Sequence, residues 1–465
     1  MSEQQETRDQ PSKAGAILQN LLAGLTVSFV AISLGAAFGI ASGRPNGAFI
    51  GIMSAGVIAL ITSLFGGTRV QCSGPTAPMT AVTAAVVLAV GGAELSGLLG
   101  ARGVDPNVFI NQVFLVTGGL LLLMALFRLG RFITLVPKVV ISGFMNGIAV
   151  LIWIAEVKKV FGLGDSTQIG GQLGVNIGIA LVTVALCFAL PSLIKKLPAF
   201  FHFIPGALLA IILVTGTVQL LGFTGEQSEF ISLAAVESLS DLTGLFEGQL
   251  PTDWSGPILL AALPFAANLA MLAYLDTLLT SLVVDKMATR LFKKKEETQQ
   301  NKELAAQGLA NAAIALFGGI PGAQATIRSV LILNEKATMR LAGVMVGVFV
   351  IVEMLIFQGA LQLIPKAVFT GVLLKVGYDV MDWDALKAWW FSLKNPATQV
   401  VTHPQLGVIA GTTLVTVFVN LNVAVLAFGV LFHILKRTRW AMADLHVPEE
   451  EDFPAPQPLH GGAQG

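Results

Sequence analysis

The sequence predicts an all-α polytopic membrane protein, and three observations carry that prediction. Hydrophobic residues make up 54% of the chain and charged residues 12%, where a soluble protein of this size carries roughly 25% charged. Mean hydropathy is +0.76. The third observation is an interrupted apolar stretch that occurs twice: 64–80 reads LFGGTRVQCSGPTAPMT and 316–331 reads LFGGIPGAQATIRSVL. Leu64 and Leu316 begin the shared tetrads and lie more than half of the 465-residue chain apart. Interrupted hydrophobic segments at corresponding places in two halves are the best sequence pointer to a transporter's binding site. Backbone left unpaired at membrane depth is tolerated only where protein or a water-filled cavity satisfies it.

Apolar runs of roughly 20 residues per crossing predict fourteen transmembrane segments. Seven lie in the first half, at 18–42, 47–65, 76–90, 109–128, 132–156, 174–191 and 203–222. Seven lie in the second, at 257–285, 303–318, 323–334, 339–358, 365–382, 400–420 and 422–436. The short third and tenth segments occupy equivalent places and read as half-helices. An odd number of spans in the first half turns the second upside down, giving a seven-plus-seven inverted repeat. The expected organisation is a cytoplasmic N-terminus (1–17), a first repeat (18–222), an external connecting segment (223–256), a second repeat (257–436) and a disordered cytoplasmic tail (437–465).

Loop charge sets the expected orientation. Segment 223–256 holds Glu226, Glu229, Glu237, Asp241, Glu247 and Asp253 and no Lys or Arg. Basic residues cluster at Arg128 and Arg131, at Lys195 and Lys196, at Lys286, Arg290, Lys293, Lys294, Lys295 and Lys302, and at Lys436, Arg437 and Arg439. The positive-inside rule places these clusters and both termini in the cytoplasm; Lys158 and Lys159 are the exception. Residues 383–395, with Trp383, Trp389 and Trp390, read as an amphipathic helix at the membrane surface, with a plain connecting loop as the alternative. The tail, with Pro454, Pro456 and Pro458, has the composition of a disordered segment.

Several function classes are excluded. Net charge is zero, so nothing argues for nucleic acid. Cys72 and Cys187 suggest no disulfide framework. His202, His403, His433, His446 and His460 show no metal-ligand spacing, no P-loop is present, and no enzyme motif survives inspection.

The chemistry that remains sits at the half-helices. A helix N-terminus presents unpaired N–H groups and roughly half a positive charge, so two such ends converging make an anion site. In the first copy Pro75 suits a first turn, Gly74 permits close backbone approach, and Thr76 and Thr80 add hydroxyls. In the second, Ala325 and Thr326 open the helix. The other reading is that the Gly and Pro residues only kink or pack helices. Arg328, two residues into the second half-helix, either attracts an anion or pairs with a carboxylate or with carbonyls. Arg69 reads as structural or as part of a vestibule. Asp276 lies within PFAANLAMLAYLDTLLTSLVV and shares a helix face with Thr280. It could hold a small hard cation, relay protons, or neutralise Arg328. Asp285 reads as solvent-exposed, Lys138 as snorkelling, and Asn146 and Asn268 as interhelical hydrogen-bonders. Glu353 is an unusual acid in the eleventh span.

NLLAGLTVSFVAISLGAAFGIASG, SGPTAPMT, VPKVVISGFMNGIAV, LDTLLTSLVVD and ELAAQGLANAAIALFGGIPGAQATIRSV together make the chain resemble the SulP anion transporter family over residues 18–436. The resemblance implies seven plus seven inverted spans, core and gate domains moving like an elevator, half-helices that enclose the anion, and frequently a homodimer. Within the family the pattern looks most like the cyanobacterial sodium-dependent bicarbonate transporters. That likeness implies sodium at Asp276, Thr280 and Thr326, and bicarbonate at the helix ends of Thr76, Ala77, Ala325 and Thr326, with Arg328 alongside. Gln324 stands where a small residue is expected and would alter the site's size or add a donor to it. Relatives with sulfate preference often carry Ser at the position of Ile327, which argues against sulfate. The family usually continues into a cytoplasmic STAS domain; about thirty residues after Lys436 are too few for one, so either the protein lacks it or the chain is a piece. The expected partners are a small inorganic anion and membrane lipid, in a bacterial inner membrane. Sodium-driven bicarbonate uptake is the leading expectation. The alternatives are proton-coupled or exchange transport of sulfate or a dicarboxylate, and an anion channel.

Overall fold

A stripe of small residues lets the first two helices touch along their backbones. Helix α1 (Lys13–Ala41) carries Gly35 and Gly39, and α2 (Gly47–Phe65) carries Gly47 and Gly51. A Cβ on Gly39 would overlap the Gly47 carbonyl, and one on Gly51 the Gly35 carbonyl. Such small-residue contacts are how helices associate where lipid removes the hydrophobic drive. The computed structural model describes residues 13–163, 168–194, 196, 206–231, 248–394, 401–419, 421–437 and 444–445. The N-terminal expectation for 1–12, the acids Glu237, Asp241 and Glu247, the basic residues Lys195 and Arg439, three of the histidines (His202, His446, His460) and the proline-rich tail lie outside the described residues.

The chain continues through β1 (Ser73–Gly74), α3 (Ala77–Val90), α4 (Ala93–Arg102), α5 (Pro106–Leu126), a 3-10 turn (Leu129–Leu135), α6 (Lys138–Phe161), α7 (Leu173–Ile194) and α8 (Gly206–Leu220). The second half supplies α9 (Gly256–Phe292), α10 (Gln300–Ala315), β2 (Ala323–Gln324), α11 (Thr326–Asn334), α12 (Arg340–Leu361), α13 (Lys366–Val380), α14 (Trp383–Lys394), α15 (His403–Phe418) and α16 (Leu421–Lys436). Among the described residues, seven helices are long and apolar enough to cross a membrane by themselves, and α3 with α4 meets the same length and composition only as a pair, bent by 69°. Helix α4 was not expected. Glu94 and Arg102 interrupt the apolar pattern there, but the acid sits in its first turn and the base in its last, where each complements the helix dipole.

Helix boundaries follow capping chemistry. Asp105 Oδ1 accepts from the N–H groups of Asn107 (2.7 Å) and Val108 (3.3 Å), with Pro106 opening α5. Thr402 and Gln405 form a reciprocal capping box at the start of α15. Helix α9 runs seven residues past the expected end at 285, so Asp285 is helical (292 − 285 = 7). Contrary to expectation, its carboxylate is engaged: it accepts from Thr298 N–H (2.8 Å) and Oγ1 (2.7 Å), which pins the basic loop after α9.

The described chain forms two compact units, and neither coincides with a half of the sequence. The first contains the described residues within 1–133 and 151–377; the second contains those within 134–150 and 378–465. In the first, α5 packs on α10 through Gly118 and Gly308, where a Cβ on Gly118 would lie 2.6 Å from the Gly308 carbonyl. Helix α12 packs on α1 and α2, with Gly347 against the Gly56 carbonyl. An extended run at 227–231 bridges Gly171 and Pro365, and Glu229 there pairs with Lys366. Lys159, the exception to the charge rule, lies 3.1 Å from Glu156, whose other oxygen accepts from Thr370. In the second unit, Gly143 and Gly147 let the start of α6 approach Ile409, Thr412 and Thr416 of α15. Asn146 accepts from the Asp382 N–H at 2.8 Å, a structural bond as expected. Helix α14 forms over the predicted surface segment, with Trp390 exposed and Trp383 Nε1 donating to the Tyr378 carbonyl.

Candidate functional site

The two interrupted stretches meet. Strand β1 pairs antiparallel with β2, Ser73 opposite Gln324 and Gly74 opposite Ala323. The Ala325 N–H extends the ladder to the Cys72 carbonyl at 3.1 Å. Backbone that would be orphaned in each interrupted span is thus satisfied by the other. Asn311 on α10 brackets the crossing: its Nδ2 donates to the Gly322 carbonyl and its Oδ1 accepts from the Gly322 N–H, both at 2.9 Å. Gly322 is required there, because a Cβ would overlap the Gly74 carbonyl group. The shared tetrads do not share a conformation. Gly66 is extended as the cap of α2, whereas Gly318 turns left-handed at φ 71.

From this ribbon two helix N-termini depart. Thr76 is the N-cap of α3, yet its side chain caps nothing in its own helix. Its Oγ1 instead donates to Asp276 Oδ2 on α9 at 2.7 Å. The proline of the first turn is Pro78, not the expected Pro75. Pro75 precedes the cap and offers its carbonyl to Arg328 Nη2 at 2.8 Å. Ala77 is the first helical residue and is buried. Ala325 is the N-cap of α11, also without a side-chain cap, and Thr326 opens the helix. Thr326 Oγ1 lies 2.6 Å from Thr280 Oγ1, one turn beyond Asp276 on α9.

The structure therefore brings Thr76, Ala77, Asp276, Thr280, Ala325, Thr326 and Arg328 to one crossing. Donors are in surplus there. Among the described residues both helix ends lack side-chain caps, the Thr80 hydroxyl is buried without a partner, and Arg328, 1% exposed, has Nε and Nη1 unpaired. The Gly74 surface expected to face a ligand lies against the Arg328 guanidinium.

Gln324 is placed differently. Its N–H donates to Thr277 Oγ1 (3.3 Å), and its side chain turns to Thr68, whose hydroxyl is 3.5 Å from Oε1. No hydrogen bond joins it to Thr76, Asp276, Thr280 or Thr326 among the described residues. It belongs to a buried network behind the ribbon centred on Glu303. Glu303 accepts from Thr68 N–H (2.9 Å), Gln71 Nε2 (3.1 Å) and Gln307 Nε2 (3.3 Å), and Gln307 also donates to Ser73 Oγ (2.6 Å). The reading of sequence singled out none of these α10 residues. A signal was present: Glu303, Gln307 and Asn311 recur every four residues, a polar stripe on one face of a helix that is apolar elsewhere beyond its first turn. Arg44 was also missed. Buried between α1 and α2, it donates to Asn107, to Asn111 Oδ1 (2.6 Å) and to the Gly318 carbonyl (3.0 Å). Arg69 pairs with Glu296 at 2.8 Å and stacks over Phe292, a structural role.

Comparison with known proteins places this arrangement. The chain is 32% identical over 421 residues to the bicarbonate transporter BicA of Picosynechococcus sp., covering 87% of this chain and 68% of that protein. It is 31% identical over 377 residues to the putative sulfate transporter YvdB of Bacillus subtilis, covering 78% of this chain and 64% of that one. The chain thus spans about two thirds of the length of these relatives. Among solved structures, the transmembrane domain of a cyanobacterial BicA superposes with a TM-score of 0.69 at 30% identity, covering 88% of this chain and 97% of that domain. SLC26A9 shares the fold, with a TM-score of 0.65 at 16% identity, over 91% of this chain and 66% of that one. These relatives are transporters, not enzymes. Residues 17–401 match the Sulfate permease family, and the chain belongs to that family.

Proposed function

We propose that the protein is a sodium-coupled importer of a small inorganic anion, bicarbonate, working by alternating access. The observation that carries this reading is the pairing of two uncapped helix N-termini across one ribbon, with Thr76 tied to Asp276. Helix ends and an unpaired guanidinium suit an anion. The carboxylate of Asp276 and the hydroxyls of Thr280 and Thr326 are hard oxygen donors that suit a small cation.

Hydrogen-bond accounting suggests how the two ions would be coupled. The Thr76 hydroxyl has one hydrogen, and Asp276 takes it. A cation on Asp276 would compete for that carboxylate and free the hydroxyl for an anion at the α3 end. The cation also offsets a negative charge that would otherwise repel the anion. Each ion then favours the state that binds the other, as linkage requires. The fourteen-span inverted repeat, the elevator motion and the cytoplasmic termini belong to this same proposal.

The test is uptake of radiolabelled bicarbonate into proteoliposomes at fixed pH, with and without an inward sodium gradient, with sulfate as competitor. Sodium-stimulated uptake that sulfate does not inhibit, and that Asp276→Asn abolishes, is expected. Sodium-driven uptake unchanged in Asp276→Asn would remove the cation assignment. The similarity to YvdB supports a second reading, sulfate as substrate. Sulfate accumulation under a proton gradient, without bicarbonate uptake, would establish it.

A further inference from the structure

One acid inside the apolar helices takes no part in the crossing. Glu353 lies on α12, is 6% exposed, and faces α1. Its Oε1 is 2.9 Å from Ser28 Oγ on α1, and its Oε2 is buried without any partner among the described residues. Ser28 Oγ is also 2.7 Å from the Leu25 carbonyl.

Counting hydrogens decides between two states of this contact. A serine hydroxyl has one hydrogen and two lone pairs, and the Leu25 carbonyl can only accept. If Glu353 were ionised, the Ser28 hydrogen would be its one donor among the described residues, and the oxygen Oε2, carrying half of the shared charge, would have none. Removing a carboxylate from water with so little compensation is strongly unfavourable. Among the described residues no cation pairs with it. Helices α1 and α2 are the elements that pack most against α12. Their one charged residue is Lys13, at the first position of α1, and α2 has none. Helix α12 itself has Arg340, at its opposite end, donating to the Ser63 carbonyl. If Glu353 is a neutral acid, its own O–H donates to Ser28 Oγ while the Ser28 hydrogen stays on Leu25. Every hydrogen then has an acceptor, and no charge is buried.

We propose that Glu353 is a proton-binding site of the protein, holding its proton between its carboxyl oxygen and Ser28 across the α1–α12 contact. The proton comes from water and returns to it: the carboxylate plus hydronium gives the acid plus water. The ligand is a proton because the site has one hydroxyl and one carboxyl, too few oxygens for a metal cation. This assignment is separate from the cation and anion sites at the crossing and survives if the substrate is another anion.

Infrared difference spectroscopy on the full chain in lipid vesicles tests it. At pH 7, wild type minus Glu353→Gln should contain the C=O stretch of an un-ionised carboxylic acid, and the band should remain in Asp276→Asn. Ser28→Ala should shift the band, because the acid loses its hydrogen-bond partner; this arm stands even if the Gln variant is poorly produced. Raising the pH should remove the band in wild type. With bicarbonate ion held constant, uptake by wild type should then fall, while Glu353→Gln should not follow it. A difference spectrum that loses carboxylate stretches instead of the acid band, or a wild-type band insensitive to Ser28→Ala, overturns the proposal.

Discussion

Gly74→Ala is the smallest change that reaches the crossing. An added Cβ would stand 2.7 Å from Nη1, 3.0 Å from Nη2 and 3.2 Å from Cζ of Arg328. Ordinary contact starts at 3.4 Å, so the guanidinium must withdraw by 3.4 − 2.7 = 0.7 Å. Its hydrogen bond to Pro75, now 2.8 Å, then stretches to the limit of such bonds. A hydrogen bond to a charged group is worth about 1.5–3 kcal/mol net. At 1.4 kcal/mol per decade, the half-saturating anion concentration should rise by roughly ten- to a hundredfold if Arg328 contributes to the site. The assay is anion-dependent uptake in proteoliposomes, normalised to folded protein. Gly97→Ala, whose Cβ would meet nothing within 4 Å, should be neutral. Gly74 lies at φ 157, which an L residue rarely adopts, so the Ala variant carries some backbone strain in any background; in a double-mutant cycle, Gly74→Ala added to Arg328→Met should cost only that strain, less than it costs in wild type. Unchanged half-saturation in Gly74→Ala, or full additivity with Arg328→Met, would refute the view that this glycine acts through the guanidinium.

Three further outcomes are expected. Gly308→Val drives a branched side chain into the Gly118 carbonyl at 2.8 Å and Leu122 at 3.0 Å, so the protein should lose about 1–3 kcal/mol, read as a lower melting temperature in detergent. Thr326→Val removes the partner of Thr280 Oγ1 and should raise the sodium concentration for half-maximal uptake about tenfold, leaving the maximal rate less affected; an unchanged sodium dependence would count against the cation site. Glu229 gives a pH effect. Desolvation alone would raise its carboxyl, but the hydrogen bond from Lys366, that from the Gly170 N–H and the Lys366 charge hold it below its ordinary value. A depressed carboxylate contributes stability above its unfolded value near 4.5 and loses it as pH falls through the folded value. Wild type should therefore lose melting temperature on acidification below about pH 4.5 more steeply than Glu229→Gln, by a modest amount because the pair is half-exposed. Equal slopes would show that the pair contributes nothing.

Backbone-breaking residues made the crossing legible. One run of Gly, Pro and small polar residues could have been only a kink; its recurrence at corresponding places in the two halves pointed to a site, and Asp276 with Thr280 stood out because a carboxylate and a hydroxyl share a helix face. What the sequence could not convey was which distant group each polar residue meets. Glu303 finds its donors at Thr68 and Gln71, in the other half of the chain. Arg44 finds the Gly318 carbonyl. Asp285 was misread as solvent-exposed because the loop that folds back on it begins several residues later. The choice between Pro75 and Pro78 turned on Thr76. Once its hydroxyl is drawn to Asp276 and its backbone is extended as the cap, the helix can start only at Ala77, and Pro78 falls in the first turn. Gln324 was assigned to the site because it stands where the resemblance leads one to expect a small residue. In a strand, neighbours point to opposite faces, and its side chain lies behind the ribbon.

Strand β1 is complete in sequence long before its partner exists. Ser73 and Gln324 are 324 − 73 = 251 positions apart. At about 5–20 residues per second of synthesis, the first strand waits roughly 10–50 s for the second. Throughout that interval its N–H and C=O groups have no ladder, and Thr76 has no Asp276. The first half is thus born holding an unfinished piece of backbone that no local rearrangement can finish. Until Gln324 arrives, the backbone groups of Ser73 and Gly74 must find other partners. A pause in translation before residue 324 should lengthen the period in which the new chain is open to proteolysis.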